Sequence, residues 1–175
     1  SVVPDRIEAA TYLVGGVISG GKVKVEGIEP QLLAAALQKL EEAGAIIEEY
    51  DDYVVVKGKD KVRKANVKTH PYPGYPTDMQ PQIVALLTLA DGVSYVTEGV
   101  YEKRFRYINE LLKMGAVINI DKTTAIIEGG HKLHGATVAC TDLRASVAIV
   151  IAALVADGVT TVTDVHLIER GYDDI

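Results

Sequence analysis

The sequence predicts an α/β (α+β) domain in which one helix–strand–helix–hairpin unit is used three times, with apolar helices buried inside outer sheets. Three observations predict it. Asp5, Asp78 and Asp142 each stand before an apolar run that a glycine closes, at Gly20-Gly21, Gly92 and Gly158. A short stretch rich in β-formers follows each time. In the first two copies a charged amphipathic segment comes next, then a Gly-Ala pair, then two more β-rich stretches. A unit that recurs in this way buries its apolar face by packing on its siblings.

In the first copy, Ile7–Ile18 is the apolar helix and Asp5 its cap, a short acceptor for orphan backbone N–H groups. Lys22–Glu26 alternates Lys, Val, Lys, Val, Glu, the period of a half-buried strand. Pro30 opens a second helix at a position that needs no N–H, with Leu33, Leu37 and Leu40 on its inner stripe and Gly44 at its end. Ala45–Glu49 and Tyr53–Lys57 then form a hairpin around Asp51-Asp52.

The second copy places its apolar helix at Pro81–Ala90, its strand at Ser94–Thr97 and its amphipathic helix at Arg106–Met114, with Ile108, Leu111 and Leu112 inward. A hairpin of Val117–Ile120 and Thr124–Glu128 follows the Gly115-Ala116 turn. The third copy has a helix at Ser146–Ala156 and a strand at Thr160–Asp164, then ends where its amphipathic helix is due. Residues 1–175 are therefore expected to form a single, partial domain, with repeats at about 1–58, 77–129 and 141–175, taken from a longer polypeptide. Two linkers join the copies. Lys59–Pro76 is polar and then proline-rich, which excludes a helix and favours a fixed extended path. Gly129–Ala139 is shorter and carries His131 and His134.

Composition narrows the function. A formal net charge of −6 argues against a general nucleic-acid footprint, though local basic sites remain open. Hydrophobic residues at 48% suffice for a sizeable core, and the longest apolar runs are too short to span a bilayer. One cysteine, Cys140, leaves no internal disulfide framework and fits a reducing compartment. No secretory pattern opens the chain, so the expected location is cytoplasmic.

Five ordered motifs carry a resemblance. They are Pro4-Asp5-Arg6-Ile7-Glu8, Thr77-Asp78-Met79-Gln80, Glu102-Lys103-Arg104-Phe105, Thr141-Asp142-Leu143-Arg144-Ala145-Ser146 and Glu169-Arg170-Gly171-Tyr172. Together they closely resemble the UDP-N-acetylglucosamine enolpyruvyl transferase (1-carboxyvinyltransferase) family, over less than half of a typical member. The resemblance implies the enolpyruvyl transferase fold, two pseudo-threefold domains that close over the substrates. It implies transfer of enolpyruvyl from phosphoenolpyruvate to the 3-hydroxyl of UDP-N-acetylglucosamine, by addition and elimination, with no metal or organic cofactor. That step begins bacterial peptidoglycan synthesis, and with it cell-wall biogenesis, cell shape and division. The implied partners are the two substrates and the second domain of the same enzyme, with no nucleic acid or membrane.

The same resemblance assigns residues. Asp78 matches the aspartate beside the sugar hydroxyl, proposed as general base. On pattern alone it is a helix cap like Asp5 and Asp142, and the two roles are compatible. Arg144 and Arg170 match arginines at the phosphoenolpyruvate end of the cleft, and Arg104 one lining the same site. Guanidinium suits phosphate and carboxylate through planar, bidentate, permanent charge. The competing reading for Arg170 is a surface ion pair with Glu169 or Asp173. Arg104 and Arg170 both follow their unit's strand and are expected on one rim. Val100 and Tyr101 match positions that contact the sugar nucleotide, partly through backbone atoms.

Other residues are set aside. The family's reactive cysteine belongs to the other domain, so Cys140 reads as inert packing. The family's phosphoenolpyruvate lysine also lies elsewhere, and Lys22 is not its equivalent. His70, His131, His134 and His166 form no metal signature. Alone, the chain is expected to be inactive. Two other readings stand beside the leading one: a domain of the shikimate-pathway enzyme (3-phosphoshikimate 1-carboxyvinyltransferase), and a non-enzymatic repeat scaffold.

Overall fold

The structure is a computed structural model and describes residues 3–175. Helix α1 spans Arg6–Ile18 and strand β1 Lys22–Glu26. Pro30–Leu33 forms a 3₁₀ turn that leads into α2, Ala34–Glu42, and the hairpin strands are β2, Ile46–Glu49, and β3, Tyr53–Lys57. The Asp5 carboxylate accepts from the backbone N–H of Ile7 at 2.8 Å and of Glu8 at 3.1 Å, so the first cap stands as expected. Leu33, Leu37 and Leu40 are all buried.

The second unit departs more from expectation. Thr77–Met79 is a 3₁₀ turn, followed by α3, Gln80–Leu87, whose eight residues are all buried. Its last turn tightens, with Leu89 and Ala90 bonding back to Leu86 and Leu87. Strand β5 is Val93–Thr97, helix α4 is Ile108–Lys113, and the hairpin is β6, Val117–Asp121, with β7, Thr124–Glu128. Leu112 does not point inward; it is 43% exposed. The buried stripe runs through Tyr107, Ile108, Leu111 and Met114. Leu112 lies about 120° round from its centre at about 100° per residue. Gly44 and Gly115 both take positive φ, 101° and 94°, which the Gly-Ala turns require.

The third unit contains α5, Leu143–Ala153, and β9, Thr161–Thr163. The helix starts three residues before the expected Ser146 because Asp142 caps Ala145 N–H at 2.9 Å and draws Leu143 and Arg144 into the first turn.

Both linkers hold strands that local pattern does not show. Val67–Lys68 is β4, parallel to β5, and Thr137–Ala139 is β8, parallel to β9. The proline-rich stretch is a tight turn, not an extended path: Gly74 N–H bonds to the Pro71 carbonyl and His70 N–H to the Tyr75 carbonyl, both at 2.9 Å. The sheets are β1-β3-β2, β4-β5-β7-β6 and β8-β9. Helices α1, α3 and α5 pack on one another as the shared core, with α3 most extensively against α5. Among the described residues no helix is long and apolar enough to cross a membrane.

Candidate active site

Three aspartates occupy equivalent places before the three core helices, and one of them is not a cap. Asp5 and Asp142 accept backbone N–H bonds. Asp78 sits inside the 3₁₀ turn that Pro76 begins, and neither that turn nor α3 has a side-chain cap bond. Its Oδ1 instead accepts from Arg104 Nη2 at 2.6 Å. Arg104 Nη1 donates to Thr77 Oγ1 at 2.9 Å, and its guanidinium lies 5.4 Å from the centroid of the Tyr101 ring. Asp78, Val100, Tyr101, Glu102, Lys103 and Arg104 line one open concavity of about 640 Å³. A second concavity of about 600 Å³, reaching from α2 to Tyr95, shares none of these residues.

Beneath this surface lies Glu98, which carries no role in the motifs above. It is 4% exposed and follows β5 directly. Its Oε1 accepts from Thr69 Oγ1 at 2.7 Å, Val100 N–H at 2.9 Å and Tyr101 N–H at 3.1 Å. Its Oε2 accepts from Thr77 Oγ1 at 2.9 Å and Gln80 Nε2 at 3.1 Å. Gln80 in turn accepts from the buried Tyr107 hydroxyl. Burial pushes the Glu98 carboxyl up, but hydrogen bonds from Thr69, the Val100 and Tyr101 backbone and Thr77 outweigh it and leave it below its ordinary value. An acid before a glycine at a strand end reads as solvated, so only three-dimensional burial reveals it.

Arg144 is held at a second corner. It is the second residue of α5, and its Nη1 donates to the Tyr172 hydroxyl at 3.1 Å. Its Nη2 stands 3.8 Å from Asp5 Oδ2, at the start of α1. The Tyr172 hydroxyl also lies 2.9 Å from Thr11 Oγ1. Thr11 gives its one proton to the Ile7 carbonyl at 2.7 Å, so Tyr172 donates to Thr11 and accepts from Arg144. Gln82 Nε2 on α3 donates to the same Thr11 oxygen at 3.1 Å. Thr11 further touches the sulfur of Met79, the neighbour of Asp78. The starts of all three core helices therefore meet, and both arginine corners belong to that end.

Arg170 is exposed and, among the described residues, makes no ion pair with Glu169 or Asp173. Its segment is tied to α5 by Tyr172 and by Gly171, where a Cβ would come within 2.8 Å of Leu143. The structure thus joins Asp78 directly to Arg104 and, through Met79, Thr11 and Tyr172, to Arg144; it gives Arg170 no bond to either. Cys140 is buried at the end of β8, and His131 and His134 are exposed, the former beside Glu128 at 3.2 Å.

The fold and this site define a class. Residues 1–175 match the family model described as EPSP synthase (3-phosphoshikimate 1-carboxyvinyltransferase), and the chain belongs to that family of enolpyruvyl transferases. Within it, the curated proteins most readily compared include UDP-N-acetylglucosamine 1-carboxyvinyltransferases, as the motifs implied. The enzyme numbered 3 of Caldanaerobacter subterraneus subsp. tengcongensis is 49% identical over 173 residues, covering 99% of this chain and 42% of that protein. The enzyme numbered 1 of Symbiobacterium thermophilum is 47% identical over 175 residues, covering 100% and 40%. The chain thus spans about two-fifths of the length of these relatives. Among solved structures, the enolpyruvyl transferase NikO from Streptomyces tendae aligns with a TM-score of 0.88 at 29% identity, over 98% of this chain and 41% of that one. EPSP synthase from Acinetobacter baumannii aligns at 0.72 and 24% identity, over 99% and 43%, and shows the fold alone.

Proposed function

We propose that the chain supplies one face of the substrate cleft of an enzyme that transfers enolpyruvyl from phosphoenolpyruvate to the 3-hydroxyl of UDP-N-acetylglucosamine, in bacterial peptidoglycan synthesis. The observation that carries this is the exception among three equivalent aspartates. Asp5 and Asp142 cap helices, whereas Asp78 is released from capping and fixed at the mouth of an open concavity by Arg104. A carboxylate held in that way is placed to take the proton of a sugar hydroxyl. The alkoxide oxygen then bonds to C2 of phosphoenolpyruvate while the C2=C3 electron pair takes a proton at C3 from a general acid that the rest of the longer protein would supply, giving a tetrahedral ketal phosphate. Loss of phosphate from C2 and of a proton from C3 restores the C2=C3 double bond and leaves the enol ether of the sugar.

The charges to be managed are a phosphate and a carboxylate. Arg144 is pre-oriented by Tyr172 and keeps further N–H groups for an anion, and exposed Arg170 is open to one. Val100 and Tyr101 give their N–H groups to Glu98, which fixes the rim that the sugar nucleotide would meet. The remaining face would come from the rest of the longer protein, whose sequence relatives act on UDP-N-acetylglucosamine by name. A cytoplasmic location accords with such phosphorylated substrates.

The test is phosphate release by the full-length protein carrying this chain, with phosphoenolpyruvate and either UDP-N-acetylglucosamine or shikimate 3-phosphate. Turnover with the sugar nucleotide only is expected, and none from residues 1–175 alone. Turnover with shikimate 3-phosphate only would move the protein to the branch for which the family model is named. Turnover with neither would leave the scaffold reading.

A further inference from the structure

A buried carboxylate is costly unless its charge is answered. Among the described residues Glu98 has no ion pair, yet five hydrogen bonds converge on it. The donors come from three segments: Thr69 beyond β4, Thr77 and Gln80 entering α3, and the backbone of Val100 and Tyr101. One of these bonds has a directional consequence. The Thr77 hydroxyl has a single proton, and an ionised Glu98 can only accept. The proton therefore points at Glu98 Oε2, and the lone pairs of Thr77 Oγ1 face Arg104 Nη1. The other arm of the guanidinium then meets Asp78.

We propose that Glu98 is a positioning residue of this site: its carboxylate fixes the direction of the Thr77 hydroxyl and thereby holds Arg104 and Asp78 in register with the Val100–Tyr101 backbone. This rests on the proposed transferase reading for its kinetic consequence, though not for its geometry. Glu98→Gln keeps the volume and one oxygen. It also turns an NH₂ towards either the Thr77 hydroxyl with the Gln80 amide or the two backbone N–H groups. Facing Thr77, the new amide donates to the hydroxyl and drives its proton towards Arg104. Facing the backbone, it opposes donors with donors. Either way the register is lost.

The experiment compares full-length Glu98→Gln, Thr77→Val and Thr77→Ser with wild type. Expected is a fall in kcat for phosphate release on the order of 10–100-fold for Glu98→Gln and Thr77→Val, the scale of a misplaced catalytic group. KM for UDP-N-acetylglucosamine stays within about threefold and Thr77→Ser stays near wild type, because it keeps the hydroxyl. The double variant Glu98→Gln/Thr77→Val falls no further than the worse single one, since both break one chain of bonds. In parallel, the Arg104 Nε–H resonance, assigned by its loss in Arg104→Lys, shifts in Glu98→Gln and Thr77→Val and not in Thr77→Ser. An additive double variant, or an unmoved Arg104 resonance in Glu98→Gln and Thr77→Val, overturns the proposal. If the wild-type protein releases no phosphate, the transferase reading fails and the Arg104 resonance alone decides the positioning.

Discussion

Arg104 and Arg144 are both steered by a hydroxyl, and the two corners differ in what stands behind it. Arg104 donates to Thr77, which hands its own proton to Glu98, and all three residues belong to the second unit. Arg144 donates to Tyr172, which hands its proton to Thr11 on α1, itself bonded from Gln82 on α3. The first guanidinium is closed off by a 2.6 Å bond to Asp78; the second has a carboxylate only at 3.8 Å, and that one is occupied in capping α1. One corner is locally over-determined, as the proposed orienting of a base requires. The other is assembled by the packing of three helices and, among the described residues, leaves Arg144 donors without a partner, as the proposed anion binding requires.

The sharpest way to break this contrast is Arg144→Lys in the full-length protein. A lysine retains the charge but loses the planar fork and the bond to Tyr172. The expected loss in kcat/KM for phosphoenolpyruvate is on the order of 100-fold or more, the range seen when one preorganised donor is removed. An unchanged kcat/KM would reduce Arg144 to a simple positive charge. Tyr172→Phe probes the same corner more gently. It deletes one hydroxyl and leaves Thr11 short of a donor and Arg144 short of an acceptor. A stability loss of about 1–3 kcal/mol by urea unfolding is expected, together with a rise in KM for phosphoenolpyruvate. Because the contacts of Tyr172, Thr11 and Gln82 join all three units, stability is affected here more than at Thr77→Ser.

The smallest effect separates the corners by acid. Glu98 titrates below its ordinary value in the folded protein, so its stabilisation is complete above about pH 4.5 and is lost as pH falls through the folded value. As pH falls below about 4.5 the unfolding midpoint should fall less steeply in Glu98→Gln than in wild type. Glu110, also lowered despite burial by bonds from Lys113 and Ala139, contributes the same sign in both proteins. Equal slopes in both would remove Glu98 as an ionised acceptor.

What could be read in the sequence follows the range of the interactions. Strand β1 falls at Lys22–Glu26 as its alternation states, and Asp5 and Asp142 cap as their positions state, because these features depend on neighbours a few residues away. Strands β4 and β8 leave no local signal because two or three residues in a polar linker become strand only when β5 or β9 lies alongside. The pairing of Asp78 with Arg104 spans 26 residues, and sequence position favoured a cap for Asp78. Leu112 faces outward because the inner stripe of α4 also takes in Tyr107 and Met114. Glu98 left no local mark, since five partners drawn from three segments are what bury it. The motif arginines were legible only through family resemblance, and their geometry only through the structure.

The central claim is that the uncapped Asp78 acts on the acceptor hydroxyl. The direct measurement is steady-state phosphate release by full-length Asp78→Asn with phosphoenolpyruvate and UDP-N-acetylglucosamine. The account predicts a fall in kcat on the order of 100-fold or more, with the protein folded and still binding the sugar nucleotide. A kcat within a few-fold of wild type would contradict it.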